Sequence, residues 1–200
     1  GGNGSDCAAD LVSRSERALE LARKSPDKPF TFFDEDLARE ARRAIDIEMA
    51  LLGAIERGEF QLCYQPKVHQ DGEIESLEAL LRWQSAELGP ISPNEFIPIA
   101  ERSGLIHAIS DHVVETACAQ LRQWLDRFGR AWPVAINLSG KDLQREDISA
   151  RIAGVCERLN IPANLIQIEI TETGLSENGE LVAMHLDALT QHGFAIGQGV

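Results

Sequence analysis

Pro133-Val134-Ala135-Ile136-Asn137-Leu138-Ser139, Leu165-Ile166-Gln167-Ile168-Glu169-Ile170-Thr171-Glu172 and Phe194-Ala195-Ile196-Gly197-Gln198 are three short apolar runs that read as strands. Helical patterns fill the gaps between them, over Ile148 to Leu159 and Gly179 to Gln191. Strand, helix, strand at roughly 30 residues per unit predicts βαβ crossovers and a parallel sheet. The expected class is therefore α/β.

Upstream of these runs the periodicity differs. Phe60, Leu62 and Tyr64 alternate on one strand face, Asp71-Gly72 marks a turn, and a second strand runs from Ile74 to about Trp83. This predicts an antiparallel hairpin at the start of the sheet. Ser92-Pro93-Asn94-Glu95 has the form of a capping box with proline at the first helical position. A longer helix follows from about Ser110 to Phe128, closed by Gly129. A closed (β/α)₈ barrel takes about 250 residues and only about 140 follow Phe60. The chain thus matches the first half of a barrel, an open α/β sheet, or a sheet completed by a partner.

Before Phe60, residues 1–34 hold one short helical stretch and the run Pro29-Phe30-Thr31-Phe32-Phe33, too little to bury a core alone. Leu37, Ala41, Ile45, Leu51, Leu52 and Ile55 then recur at helical spacing, which predicts an amphipathic linker helix over 35–57 ended by Gly58.

The whole chain has 200 residues, 44% hydrophobic and 26% charged, enough to bury a core and too apolar for a disordered tail. No apolar run approaches the ~18 to 20 residues of a membrane span, and the first residues lack a signal-peptide pattern. A cytoplasmic protein without membrane contact in this segment is expected. The net charge of −13, concentrated after residue 47, argues against a sequence-independent grip on polynucleotides. An acidic domain that handles a phosphate ligand would need a divalent cation. Cys7, Cys63, Cys118 and Cys156 are far apart with no zinc spacing, so buried reduced thiols are expected. The histidines show no triad or metal spacing, the tryptophans read as packing residues, and no Gly-x-Gly-x-x-Gly loop occurs.

In parallel α/β domains functional groups gather at the C-terminal ends of strands. Three strands carry polar groups suited to that place: Glu78, Leu80 and Arg82 on one face of the hairpin strand, Asn137 and Ser139, and Glu169 and Glu172. Carboxylates and a carboxamide converging on one mouth suit a hard cation, Mg²⁺ or Mn²⁺, and Arg82 beside them suits a phosphate.

Tyr64-Gln65-Pro66, Glu78-Ala79-Leu80-Leu81-Arg82-Trp83, Ser92-Pro93 through Phe96-Ile97-Pro98, Asn137-Leu138-Ser139 and Glu169-Ile170-Thr171-Glu172 occur in this order. Together they resemble the EAL domain family, bacterial cyclic di-GMP phosphodiesterases and degenerate relatives that bind the dinucleotide without cleaving it. The likeness runs from about Met49 to Val200. It implies a TIM-like (β/α) barrel of the EAL type, starting with an antiparallel strand and incomplete in this chain. It also implies Mg²⁺ or Mn²⁺ held by Glu78, Asn137 and Glu169, with Glu172 supporting a loop and Gln65, Leu80 and Arg82 touching cyclic di-GMP. In members that hydrolyse, two cations open the ring to the linear dinucleotide pGpG.

Ala18-Leu19-Glu20-Leu21-Ala22-Arg23-Lys24 and Phe30-Thr31-Phe32-Phe33-Asp34 are similar to the end of a GGDEF domain. The resemblances imply three parts: a GGDEF-like remnant over 1–34, a linker helix over 35–57 and an EAL domain over 58–200. One departure stands out. Where the family reads Gly-x-x-Ile-Ala-x-Asp-Asp-Phe-Gly, this chain reads Gly193-Phe194-Ala195-Ile196-Gly197-Gln198-Gly199-Val200. Gly199 and Val200 replace both aspartates and supply no ligand or acid-base group, which implies weakened or lost metal binding. Three readings follow: a cyclic di-GMP receptor with impaired or no hydrolysis, an active Mg²⁺- or Mn²⁺-dependent phosphodiesterase, and a non-binding dimerisation or scaffold fragment. A homodimer or a neighbouring signalling domain is the expected protein partner.

Overall fold

A computed structural model of the protein describes residues 35–170 and 179–198. The expected GGDEF-like remnant over 1–34, Glu172, and the Gly199-Val200 pair lie outside the described residues. The chain divides into two compact units, 1–46 and 47–200.

Helix α1 (Glu35–Leu51) ends six residues before the expected Arg57. Gly53 adopts φ +75°, a conformation strained for residues with a Cβ, and the chain leaves the helix there in turns. Within the second unit, Ile47, Ala50, Leu51 and Ala54 are buried, whereas Met49 and Leu52 are exposed.

The hairpin forms as expected from β1 (Phe60–Val68) and β2 (Ile74–Ser85), which pair antiparallel from Phe60↔Trp83 to Val68↔Ile74. Gly72 takes φ +87° in the connecting turn. A three-residue strand that the sequence reading lacks, β3 (Gly89–Ile91), adds antiparallel to the far end of β2. Helix α2 (Pro93–Ser103) begins at the expected proline and stops at Gly104, φ +76°. Ser92 has the extended backbone of an N-cap but makes no side-chain capping bond, which corrects the expected capping box. Its carbonyl instead accepts from the N–H groups of Glu95 and Phe96. Helix α3 (Ile106–Phe128) starts four residues before the expected Ser110 and ends at Gly129.

The alternating part follows: β4 (Val134–Leu138), α4 (Ile148–Leu159), β5 (Ile166–Ile170), α5 (Gly179–Gln191) and β6 (Ala195–Gln198). Neighbours run β1-β2-β4-β5-β6, with every pair after the hairpin parallel. Val134, Ile136, Leu138, Ile166, Ile168 and Ile170 are each at most 2% exposed and face the helices, with Val113, Leu121, Ile152 and Leu189 opposite. Burial of each such aliphatic chain contributes about 1.5–3 kcal/mol, so this face holds sheet and helices in one layer pair. The other face carries the polar residues.

At the hairpin end, Phe60, Trp83 and Phe96 cluster with centroid separations of 5.4–5.9 Å. Tyr64 meets Trp124 edge-on at 5.0 Å, and burial pushes its phenol up to about 12. Trp83 and Trp124 are packing residues as expected; the cysteines depart in part. Cys118 on α3 and Cys156 on α4 are buried free thiols with sulfurs 3.8 Å apart, and this contact together with burial keeps Cys118 protonated. Cys63 is exposed, because on β1 it falls on the polar face opposite Leu62 and Tyr64. Ellman's reagent is expected to modify Cys63 in the native protein and to reach Cys118 and Cys156 only on unfolding. Peptide mass mapping checks this, and equal rates at the three thiols would contradict the packing.

Candidate functional site

Strand register assembles the site. Glu78 on β2 stands beside Ala135 on β4, Asn137 stands beside Glu169 on β5, and Glu169 beside Gly197 on β6. Period-two alternation puts all of them on the polar face of the sheet. Asn137 Nδ2 donates to Glu78 Oε1 at 3.0 Å, which leaves the carboxamide oxygen for another partner. Glu169 is only 3% exposed, so its carboxylate is stabilised by what it touches: Lys67 Nζ at 2.5 Å and Gln167 Nε2 at 3.4 Å. Lys67 also lies 3.8 Å from Glu78 Oε2. Gly197 leaves the room this packing needs, since a Cβ there would come within 2.6 Å of the Gln167 amide nitrogen and 3.4 Å of Glu169 Cγ.

The structure therefore brings together Glu78, Asn137 and Glu169, three of the residues the sequence singles out. Gln65 pairs with Glu78 across the hairpin and is exposed. Leu80 and Arg82 line a cleft of about 580 Å³ that runs from Glu78 and Asn137 to Ile97 and Pro98 of α2 and Ile109 of α3. The Arg82 side chain is exposed and donates to the neighbouring Leu81 carbonyl at 2.9 Å.

Two features are absent from the sequence reading. Lys67 sits between the carboxylates; period two puts it on the face of Gln65, but nothing local marks it as their ion-pair partner. Asp142, fully buried after β4, accepts from Ser110 Oγ at 2.7 Å and from the Ser139 N–H at 3.1 Å, and its other oxygen faces His107 Nδ1 at 3.1 Å. This ties the Asn137-Leu138-Ser139 segment to α3; no local pattern marks it.

The donor set is all oxygen: two carboxylates and one carboxamide within reach of one another. That chemistry fits a hard divalent cation and not zinc. No group of three or more His, Cys, Asp or Glu suited to a metal gathers among the described residues, so the described set is two carboxylates plus Asn137. Among the same residues, no helix is long and apolar enough to cross a membrane.

Comparison with known proteins identifies the family and the fold. The EAL domain model matches residues 48–197. The chain is 33% identical over 191 residues to cyclic di-GMP phosphodiesterase PdeR of Escherichia coli (strain K12), covering 96% of this chain and 29% of that protein. It is 29% identical over 188 residues to the bifunctional diguanylate cyclase/cyclic di-GMP phosphodiesterase MucR of Pseudomonas aeruginosa, covering 94% of this chain and 27% of that protein. The chain thus spans under a third of the length of these relatives. Among solved structures, the PaMucR phosphodiesterase in complex with c-di-GMP superposes with a TM-score of 0.72 at 32% identity, over 76% of this chain and 62% of that one. The FimX EAL domain of Xanthomonas citri, at 22% identity over 80% of this chain and 62% of that one, shares the fold with a TM-score of 0.69. With its antiparallel first strand, parallel sheet and matching family model, the chain belongs to the EAL domain family of TIM-barrel proteins.

Proposed function

We propose that this protein is a cytoplasmic cyclic di-GMP receptor that binds the dinucleotide with Mg²⁺ or Mn²⁺ at the Glu78–Asn137–Glu169 cluster and hydrolyses it slowly or not at all. The observation that carries this reading is the convergence of those three oxygen donors beside a cleft lined by Leu80 and Arg82. Glu78, Asn137 and Glu169 would hold the cation, which when bound offsets phosphate charge and polarises the phosphodiester. Arg82 supplies a guanidinium fork for a phosphate or a guanine edge, Leu80 with Ile97 and Pro98 an apolar wall for a base, and Gln65 a carboxamide. Similarity to a solved c-di-GMP complex supports the ligand class. Against turnover this reading counts Gly199 and Val200, which take the places of the family's two aspartates when the motif is laid without a gap. In this reading residues 1–34 close a GGDEF-like domain and 35–57 connect it to the EAL domain from residue 58.

The second reading, an active phosphodiesterase yielding pGpG, is favoured by the retention of Glu78, Asn137 and Glu169 and by the 33% identity to PdeR. Titration calorimetry with cyclic di-GMP in Mn²⁺ buffer, followed by chromatography of the recovered nucleotide, separates the two. Saturable heat with intact ligand is expected, and Glu169→Ala is expected to weaken binding at least about tenfold. Appearance of pGpG would establish the second reading, and neither heat nor product would refute both.

A further inference from the structure

The charged group that no motif assigns in this cluster is Lys67. Its ammonium donates to Glu169 Oε1 at 2.5 Å and stands 3.8 Å from Glu78 Oε2, so it occupies the space between the two carboxylates. The two sides of this ion pair are held differently. Glu169 lies inside β5, flanked in register by Asn137 and Gly197, and is almost wholly buried. Lys67 lies near the end of β1, where the ladder with β2 slips between Lys67 and Val68, and its side chain is 39% exposed. A flexible four-carbon stem at an irregular strand end can swing away, whereas the carboxylate cannot.

A divalent ion on the same oxygens would sit within a few ångströms of this ammonium. Repulsion between a divalent and a monovalent cation is twice that of two unit charges, and in a partly buried site it is weakly screened. We propose that Lys67 is a resident counter-cation of the cluster: it holds Glu78 and Glu169 together without metal, and a divalent ion binds only by displacing it. Lys67 then acts as a positioning residue that lowers the metal affinity of the site and makes metal entry coincide with release of a lysine arm beside Gln65. This inference rests on the reading of Glu78, Asn137 and Glu169 as a metal site.

The test is a Mn²⁺ titration at fixed ionic strength, with free Mn²⁺ read by electron paramagnetic resonance, on the wild type, Lys67→Gln, Lys67→Met and Lys67→Arg. Both neutral variants are expected to bind Mn²⁺ at least about tenfold more tightly, and Lys67→Arg to stay near the wild type. Without metal the neutral variants should melt at lower temperature, and saturating Mn²⁺ should raise their midpoints more than that of the wild type. A measurement on the wild type guards against variants that fail to fold. Reductive methylation of Lys67, followed by peptide mass spectrometry, should speed up several-fold when Mn²⁺ is added. Equal Mn²⁺ affinity in wild type and neutral variants, or unchanged labelling of Lys67, would overturn the displacement while leaving the metal site standing. Absence of Mn²⁺ binding in every protein would overturn the metal-site reading and the displacement together.

Discussion

Asp142→Ala is expected to remove roughly 3–5 kcal/mol of folding stability, a large share of the ~5–15 kcal/mol typical of a domain. The carboxylate is fully buried and receives the Ser110 hydroxyl and the Ser139 N–H on one oxygen, with His107 facing the other. Its own N–H lies 3.3 Å from Ser139 Oγ. Alanine would leave the buried Ser110 hydroxyl and the Ser139 N–H without their acceptor and open a void where the carboxylate packs. The isosteric substitution Asp142→Asn keeps one acceptor oxygen and nearly the same volume, so it should cost only about 1–2 kcal/mol. Urea unfolding monitored by circular dichroism measures both. An alanine variant within about 1 kcal/mol of the wild type, on the scale of a weak surface contact, would show that the network contributes little. Because Ser139 follows Asn137 by two residues, the proposed function predicts that Asp142→Ala also weakens cyclic di-GMP binding.

Acid should expose the role of another buried carboxylate. Glu59, between α1 and β1, accepts from Arg57 Nε at 2.8 Å, Trp83 Nε1 at 3.0 Å and the Ala86 N–H at 3.3 Å. The Arg57 hydrogen bond, helped by those from Trp83 and Ala86, outweighs burial and holds its carboxyl at about 2. A carboxyl whose folded value lies below its unfolded value stabilises the fold above the unfolded value. That contribution is fully present above about pH 4.5 and is lost as pH falls toward about 2. Glu59→Gln should therefore be less stable than the wild type at about pH 6 and converge on it as the pH drops toward about 2. Glu59→Ala at about pH 7 should cost about 2–4 kcal/mol, since it strands the Trp83 N–H and frees Arg57, which also binds the Leu52 and Ala50 carbonyls at the end of α1. Thermal melts across this range check the sign. A difference that grows toward low pH would contradict it.

Much of the site is legible in the sequence because it is built from local periodicity. Alternation along Ile74–Ser85 places Glu78, Leu80 and Arg82 on one face, and the same alternation along β1 places Gln65 and Lys67 together. Lys67 escapes a sequence reading for a physical reason: a lysine on a strand face is usually solvated, and only the carboxylates of other strands make this one an ion-pair partner. Cys63 departs in the opposite sense, since cysteine is most often buried. Element ends shift where local signals are weak. The run to Ile55 looks helical, yet Gly53 stops α1 at Leu51, and β3 has three residues, too few for a period to show.

By itself the sequence determined the α/β class, the hairpin, the strand-helix spacing of the parallel part and the family, because each of these is written in short-range order along the chain. The tertiary structure alone decided the pairing of Asn137 with Glu169, the ion pair from Lys67 to a residue 102 positions away, and the burial of Asp142 against Ser110, 32 positions away. These depend on sheet register and on how a helix settles over a strand end. A slip of one residue in a strand's register would send its side chains to the other face.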